Sequence, residues 1–268
     1  MQIDFYTSAF NIIKNNFDYI PAIENWVKVA NKISIAVNTS DDSTYEKLEE
    51  LYEQYPNKLS IFKTDVSYDD PDFDGKIKNL ALQNCSSDIV FGLDLDERIP
   101  MNMIHRLFLY AEALKDDKTN DCYALPSIDI YKDMDHFSKI GYKWYLHKRK
   151  GCYRGTVNFA KNEDGTHDIT KSDSCELINE YGNLVNIRYF PSYNPRINTP
   201  DEKLKTVLQN NVPYVIHLGY LDIQRRNELN NNFWKKQWEV ESGKPQIVKT
   251  LEELDSQPIY KHNLRLQF

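Results

Sequence analysis

The sequence predicts an α/β protein: a mixed sheet with helices on both faces and an antiparallel extension in its second half. Three observations predict it. Short apolar strands alternate with amphipathic helices through residues 2–93. Runs rich in aromatic and β-branched residues, separated by turns, occupy 122–159. A late apolar strand, Val212–His217, is followed by a charged helix. Alternation with short connections marks parallel strands joined by helical crossovers.

Residues 2–7 (Gln-Ile-Asp-Phe-Tyr-Thr) form the first strand. Phe17, Ile20, Ile23, Val27 and Ala30 recur at helical spacing over 17–31. Ile33–Val37 is a second strand, closed by the polar cluster Asn38–Thr44. That cluster also caps a helix reaching about Tyr55, with Leu48, Leu51 and Tyr52 on one side. Leu59–Lys63 is a third strand, and the acidic stretch Asp65–Asp74, with Pro71, reads as a loop. A helix from about Gly75 to Cys85 leads into a fourth strand, Asp88–Leu93. After Pro100 a helix runs to about Leu114. Cys122–Tyr131, Tyr142–His147 and Cys152–Phe159 read as antiparallel strands, and 160–183 as a polar, lid-like loop. The final helix covers about 222–241. With no linker, repeat or low-complexity tract, the expectation is one domain over 1–268, with parts 1–100, 101–221 and 222–268.

At 268 residues the chain can bury a full core. A hydrophobic content of 41% and a charged content of 27% are those of a globular protein. No apolar run reaches the 18 residues of a membrane span. Met1–Tyr6 reads as a strand rather than as the basic start of a signal peptide. Cys85, Cys122, Cys152 and Cys175 have no metal-ligand spacing, so reduced thiols and a cytoplasmic location are expected. A net charge of −7 argues against a uniformly basic nucleic-acid binder, although not against a local basic groove.

The chemistry centres on Asp94-Leu95-Asp96-Glu97, at the end of the fourth strand. In an extended strand the two aspartates share a face, with Cα atoms roughly 6.6 Å apart at about 3.3 Å per residue. Two such carboxylates suit one hard divalent cation, and a metal at the carboxyl end of an α/β strand suits a phosphate-bearing ligand. A pair of solvated loop carboxylates is the competing reading. Glu97 is expected to cap or support the site.

Asp74-Gly-Lys-Ile-Lys-Asn-Leu-Ala-Leu82 followed by Asp88-Ile-Val-Phe-Gly-Leu-Asp-Leu-Asp-Glu97 resembles family 2-type glycosyltransferases of the GT-A fold. The likeness covers about residues 2–100, and beyond it rests on His217-Leu-Gly219, similar to the late histidine that completes the metal site in many such enzymes. The resemblance implies a nucleotide-sugar-binding half (1–100), an acceptor-side half (101–221) and a C-terminal helical segment (222–268). It implies transfer of a hexosyl or pentosyl group from a nucleotide-sugar, a UDP-sugar foremost, to an acceptor hydroxyl, with Mn2+ or Mg2+ as cofactor. Asp94, Asp96 and His217 are the expected metal ligands, Asp94 also touching the donor. Lys78 is expected on a phosphate and Asn79 in a structural or donor contact. Thr7, Ser8 and Asp42 stand where base and ribose sit, with turn capping as the alternative. Arg225 or Arg226 is expected to neutralise the diphosphate. Asn38-Thr-Ser-Asp-Asp42 departs from the family's commoner Asp-x-Gly-Ser, and Gly155-Thr-Val-Asn-Phe159 stands where many relatives carry His-Glu. The base is therefore sought among Asp164, Asp168, Asp173 and Glu176, with Asp173 singled out.

The acceptor is expected to be a glycan or, alternatively, a modified DNA base. The chain is rich in Asn, Lys, Ile and Tyr, as AT-rich phage genomes encode, and carries two basic-aromatic stretches, 143–154 and Arg225-Arg226 with Trp234–Trp238. A nucleotidyltransferase would show a glycine-rich loop where Thr7–Asn11 has no glycine. An inactive sugar-nucleotide-binding module would tolerate loss of both aspartates.

Overall fold

The computed structural model describes residues 1–155, 176–191, 199–243, 245–262, 264 and 266–268. Its first part is a parallel sheet of β1 (Ile3–Ala9), β2 (Ile33–Asn38), β3 (Leu59–Thr64) and β4 (Ile89–Gly92). Three crossover helices, α1 (Tyr19–Val27), α2 (Thr44–Gln54) and α3 (Phe73–Gln83), connect them. Period-two alternation explains how both faces are filled. Ile3, Phe5, Ile33, Ile35, Val37, Ile89 and Phe91 join the core cluster that contains Ala22, Ile23 and Trp26 of α1 and Leu48 and Leu51 of α2. Tyr6, Ala36 and Val90 instead join Phe73, Ile77, Ala81 and Leu82 of α3. Each fully buried Ile, Leu or Phe contributes about 1.5–3 kcal/mol before entropy is counted, so these two clusters hold the sheet between its helices.

From β4 the chain passes through the turn 94–96 into β5 (Glu97–Arg98), which pairs at the far edge of the sheet. Next come a 3-10 turn (Met101–Met103) and α4 (Ile104–Asp116), then the long hairpin of β6 (Cys122–Tyr131) and β7 (Asp133–Lys148). The hairpin is longer than expected: β7 starts at Asp133 rather than at Tyr142, because Lys132 turns the chain at φ 65. Three register irregularities in the ladder blur the alternation that sequence reading relies on. Beyond it lie β8 (Tyr153–Gly155), β9 (Glu176–Ile178), β10 (Ile187–Tyr189), α5 (Pro200–Gln209) and β11 (Val215–Tyr220). A capping box between Thr199 and Glu202 starts α5.

The strand order is β3-β2-β1-β4-β7-β6-β11-β5, with β10 on β6, while β8 and β9 form a separate pair. β7 runs antiparallel to both β4 and β6, so a parallel half meets an antiparallel half. The fold class expected from the sequence is the one observed. The order reverses between β1 and β4, and such a switch point opens a crevice at the carboxyl ends of the strands.

The C-terminal segment differs from the single helix expected over 222–241. It is α6 (Ile223–Leu229), a π-helical turn (Asn230–Trp234) and α7 (Lys235–Ser242). Three consecutive asparagines, poor helix formers, occupy the widened turn. The tail adds α8 (Leu251–Asp255) and β12 (Tyr260–Lys261), which pairs with β7.

Candidate active site

At the switch point lies a cleft of about 440 Å³, within the range of small-molecule sites. β1 and its following loop contribute Ser8, Phe10, Ile12, Asn15 and Phe17; α3 contributes Phe73, Asp74 and Lys78. Asp94, Asp96 and Glu97 form the floor, Asp129 and Lys143 come from the hairpin, and His217, Tyr220, Arg226, Trp234 and Trp238 close the far side.

The two aspartates are not on an extended strand. β4 stops at Gly92, and Asp94–Glu97 is a turn in which the Glu97 N–H donates to the Asp94 carbonyl (2.9 Å) and the Asp94 N–H to the Glu97 carboxylate (2.8 Å). Buried Leu95 pins the turn to the core. The same-face argument for Asp94 and Asp96 therefore gives way to a turn that sends them to different partners.

Asp94 is held by two ammoniums: Lys78 Nζ lies 2.9 Å from Oδ1 and Lys143 Nζ 3.2 Å from Oδ2. Burial acts to raise its pKa, but Lys78 and Lys143 outweigh it and hold the carboxyl well below the usual range. Lys78 also reaches Asp74 (2.9 Å), and Lys143 pairs with fully buried Glu97 (2.5 Å). The Tyr145 hydroxyl donates to the same Glu97 oxygen (2.7 Å). Burial pushes Glu97 up, and Lys143, with Glu97 beside it, stays firmly protonated against its own burial.

Asp96 has a different neighbour. The β5–β11 pairing sets His217 opposite Glu97, and the Leu218 N–H donates to the Asp96 carbonyl (2.9 Å). His217 Nε2 then faces Asp96 Oδ2 at 3.4 Å, while Nδ1 is 3.0 Å from Asp129 Oδ1. Burial opposes charge on the ring, but Asp96 and Asp129 overcome it and raise its pKa to about 10. The imidazole thus bridges two carboxylates as a cation, and a metal ion bound at Nε2 would take the place of the proton there.

The donor set fits a divalent cation. Adjacent ligands at about 2.1 Å from an ion lie roughly 3 Å apart, near the spacing of Asp96 Oδ2 and His217 Nε2. A carboxylate behind a ligating histidine fixes ring and tautomer, which is the relation of Asp129 to His217. Space is reserved beside the two donors: a Cβ on Gly219 would fall 2.6 Å from His217 Nε2 and 2.9 Å from Asp96 Oδ2. Among the described residues no three His, Cys, Asp or Glu side chains converge as a ready-made ligand set. An ion held by two protein groups would complete its shell with water and substrate oxygens.

Several expected residues have other work. Asp42 accepts from the N–H and Oγ1 of Thr44 (2.9 and 2.5 Å) and from the Lys14 N–H (2.8 Å). Ser40 Oγ accepts from the Asn11 N–H (3.1 Å), and Thr44 Oγ1 from the Ile12 N–H (2.9 Å). The cluster 38–44 therefore anchors the loop after β1, and that loop lines the cleft. Thr7 is buried and donates to the Ser8 carbonyl (3.3 Å). Ser8 does line the cleft and donates to Asp74 (3.0 Å). Asn79, expected in a structural or donor contact, clamps β8 through both Arg154 backbone groups (2.6 Å each). Arg225 lies over Phe17 and donates to the Asn15 carbonyl (3.1 Å); of the pair, Arg226 is the one that lines the cleft. Of the carboxylates considered for a base, Asp164, Asp168 and Asp173 lie outside the described residues, and Glu176 is buried off the cleft.

Sequence reading missed Asp129 and the pairing role of Lys143. Asp129 carried a signal, as a carboxylate inside the apolar strand Ile-Asp-Ile, where an unpaired charge is costly. Lys143 carried none that separated it from its basic neighbours.

No family model and no curated protein matches the chain. Among solved structures it is similar to the mannosyltransferase PcManGT from Pyrobaculum calidifontis in complex with GDP-Man and Mn2+, at 16% identity and a TM-score of 0.36, over 46% of this chain and 35% of that one. It is similar to S. aureus TarS 1-349 in complex with UDP-GlcNAc, at 11% identity and a TM-score of 0.40, over 89% and 73% of the two chains. It is also similar to the inositol-1-phosphate CTP transferase from T. maritima, at 8% identity and a TM-score of 0.34, over 79% and 98%. The chain spans about a third of the mannosyltransferase's length. Likenesses this low carry no argument about activity, so the functional reading rests on the chain's own residues. No described helix is long and apolar enough to cross a membrane.

Proposed function

We propose that the protein is a glycosyltransferase that moves a sugar from a nucleotide-sugar donor, a UDP-sugar foremost, to an acceptor hydroxyl with the help of Mn2+ or Mg2+. The observation that carries the reading is the pairing of Asp96 Oδ2 with His217 Nε2 beside the space at Gly219, in one cleft with Lys78 and Lys143. Asp96 and His217 would hold the cation, which supplies positive charge for the departing diphosphate. Asp94, the other expected ligand, presents its carboxylate from the same turn.

The chain's own groups perform the remaining tasks. Lys78 and Lys143 bring ammoniums to Asp94 in a partly enclosed cleft, where charge acts more strongly than in water. As the glycosidic bond breaks, both donate to the diphosphate oxygens and stabilise the charge that develops there. Phe10, Phe73 and Phe233 present rings at the β1 end, a surface on which a nucleobase stacks. Asp129 keeps the His217 ring in place, and Glu97 holds Lys143 and the Asp94 turn.

A melting-temperature panel of UDP, GDP, CDP and ADP, each with and without Mn2+, tests the reading. One nucleotide should stabilise the protein only with the metal, by mass action on the folded state. Release of that nucleotide from its sugar conjugate should follow, and Asp96→Asn should abolish both effects. Stabilisation that ignores the metal and survives Asp96→Asn would refute the assignment.

A further inference from the structure

Of the lysine and arginine cations lining the cleft, Arg154 donates to the Tyr6 hydroxyl (2.6 Å), and the other four fall into two sets. Lys78 and Lys143 are paired with Asp74, Asp94 and Glu97. Arg226 and Lys139 also line the cleft, yet neither has a carboxylate within ion-pairing distance among the described residues. Arg226 lies over the Tyr220 ring (4.8 Å), and Tyr220 stands edge-on to His217 (5.8 Å, 88°). Its uncompensated charge is thus one ring away from the Asp96–His217 pair.

The same helical segment supplies aromatic faces. Through the π-helical turn, neighbours Phe233 and Trp234 both reach the cleft wall. Phe233 joins Phe10 and Tyr68 at the β1 end (5.7 and 5.4 Å). Trp234 instead lies parallel to Trp238, one helical turn on (6.3 Å, 19°). Among the described residues, Trp234 Nε1 and Arg226 Nε are buried donors with no hydrogen-bond partner, a costly state that an acceptor oxygen relieves.

Resting on the glycosyltransferase reading, we propose that Arg226, Lys139, Trp234 and Trp238 form the acceptor subsite, and that its ligand is a carbohydrate bearing an oxyanion, a phosphate ester or a carboxylate. The sugar ring lies on the indole faces, and the oxyanion accepts from Arg226 and draws Lys139 toward it. A nucleic-acid base is disfavoured. Two cations without a carboxylate partner give little purchase on a polyphosphate against a net charge of −7.

The test uses the full chain, saturated with Mn2+ and the nucleotide that most raises its melting temperature. D-glucose 1-phosphate, D-glucuronate, D-glucose and inorganic phosphate are titrated while tryptophan emission is followed, with Trp238→Phe to assign the signal. One or both charged sugars should bind at least about tenfold more tightly than glucose, the scale of a charge-assisted hydrogen bond. Which one does so tells a phosphate ester from a carboxylate. Arg226→Gln should erase that margin and leave the nucleotide's melting shift intact. Should this variant fold poorly, Lys139→Gln, at an exposed position, should narrow the margin about threefold, a smaller effect than loss of a direct charged contact. The proposal falls if glucose binds as tightly as the charged sugars, if inorganic phosphate alone reproduces their affinity, or if duplex DNA quenches the signal in their place. It falls too if Arg226→Gln weakens the nucleotide, which would put Arg226 on the donor. If no nucleotide raises the melting temperature, the glycosyltransferase reading fails, while the sugar titration still reports on the subsite.

Discussion

His217 is oriented by Asp129: Nδ1 lies 3.0 Å from Oδ1 of that carboxylate, and this contact turns Nε2 toward Asp96. The two residues are 88 positions apart and meet because β11 pairs in parallel with β6, with His217 directly opposite Asp129. A neutral ring that donates through Nδ1 must present a lone pair at Nε2, the form a cation requires.

Asp129→Asn tests that relation. The amide preserves shape but lets the ring change tautomer and removes the negative charge behind it. Mn2+ affinity, read by calorimetry, is expected to fall about 10- to 100-fold, together with a lower melting temperature, because buried His217 loses a charged partner. An unchanged affinity would mean that Asp129 only balances charge.

Gly219→Ala tests the reserved space. The added Cβ would sit 2.6 Å from His217 Nε2, on a ring already tied to Asp129. The ring must move, so the Mn2+-dependent melting shift should disappear while the circular dichroism spectrum stays as it is. A variant that keeps a full metal response would show that the cation does not occupy this space.

Much of this was legible in the sequence, and the limits have physical causes. β1 to β4 could be read because parallel strands buried on both faces are nearly continuous apolar runs, as Ile33–Val37 is. That Asp96 and His217 lie together was hinted at by the motif residues that each belongs to, and the structure brings them within 3.4 Å. The turn at Asp94 was not, because it depends on the Glu97 carboxylate folding back onto the Asp94 N–H, a contact without periodicity. For Asp42 the sequence left ligand contact and turn capping side by side, because polar turn residues look alike whether they bind a ligand or a neighbouring loop. Only the structure shows that its oxygens are taken by Lys14 and Thr44. Asp129 and Lys143 depend on the β6–β7 hairpin, whose irregular register hides which residues face the cleft.

Lys143 and Glu97 test the floor of the site. Lys143→Met leaves the fully buried Glu97 with only the Tyr145 hydroxyl and the Asp94 N–H. Breaking a buried pair from one side costs about 3–5 kcal/mol, and because the Lys143 side chain is 34% exposed, about 2–3 kcal/mol is expected from urea unfolding. Adding Glu97→Gln removes the stranded charge and should restore about half of that loss. Additive losses in the double variant would show that the two residues do not act as a pair.

His147 yields a pH prediction independent of any ligand. Its Nδ1 donates to the Lys148 carbonyl (2.8 Å), so Nε2 is the acceptor for the Tyr6 hydroxyl (2.7 Å), which in turn accepts from Arg154 Nε (2.6 Å). Gly92 makes room for this chain, since a Cβ there would come within 2.6 Å of Arg154 and 2.7 Å of Tyr6. Burial, and secondarily the charge of Arg154, lower the His147 pKa from 6.5 to about 3. The unfolded chain therefore binds a proton near pH 6.5 that the folded protein refuses until about pH 3. Stability is fully present above the unfolded value and is lost as pH falls between the two, by roughly 1.4 kcal/mol per pH unit from this group. Urea unfolding of the wild-type protein between pH 7.5 and 5 should show that slope on top of the carboxylate contribution. His147→Gln should flatten it by the same amount, although its stability at pH 7.5 is lower. Parallel pH profiles for the two proteins would mean that His147 takes up its proton inside the fold.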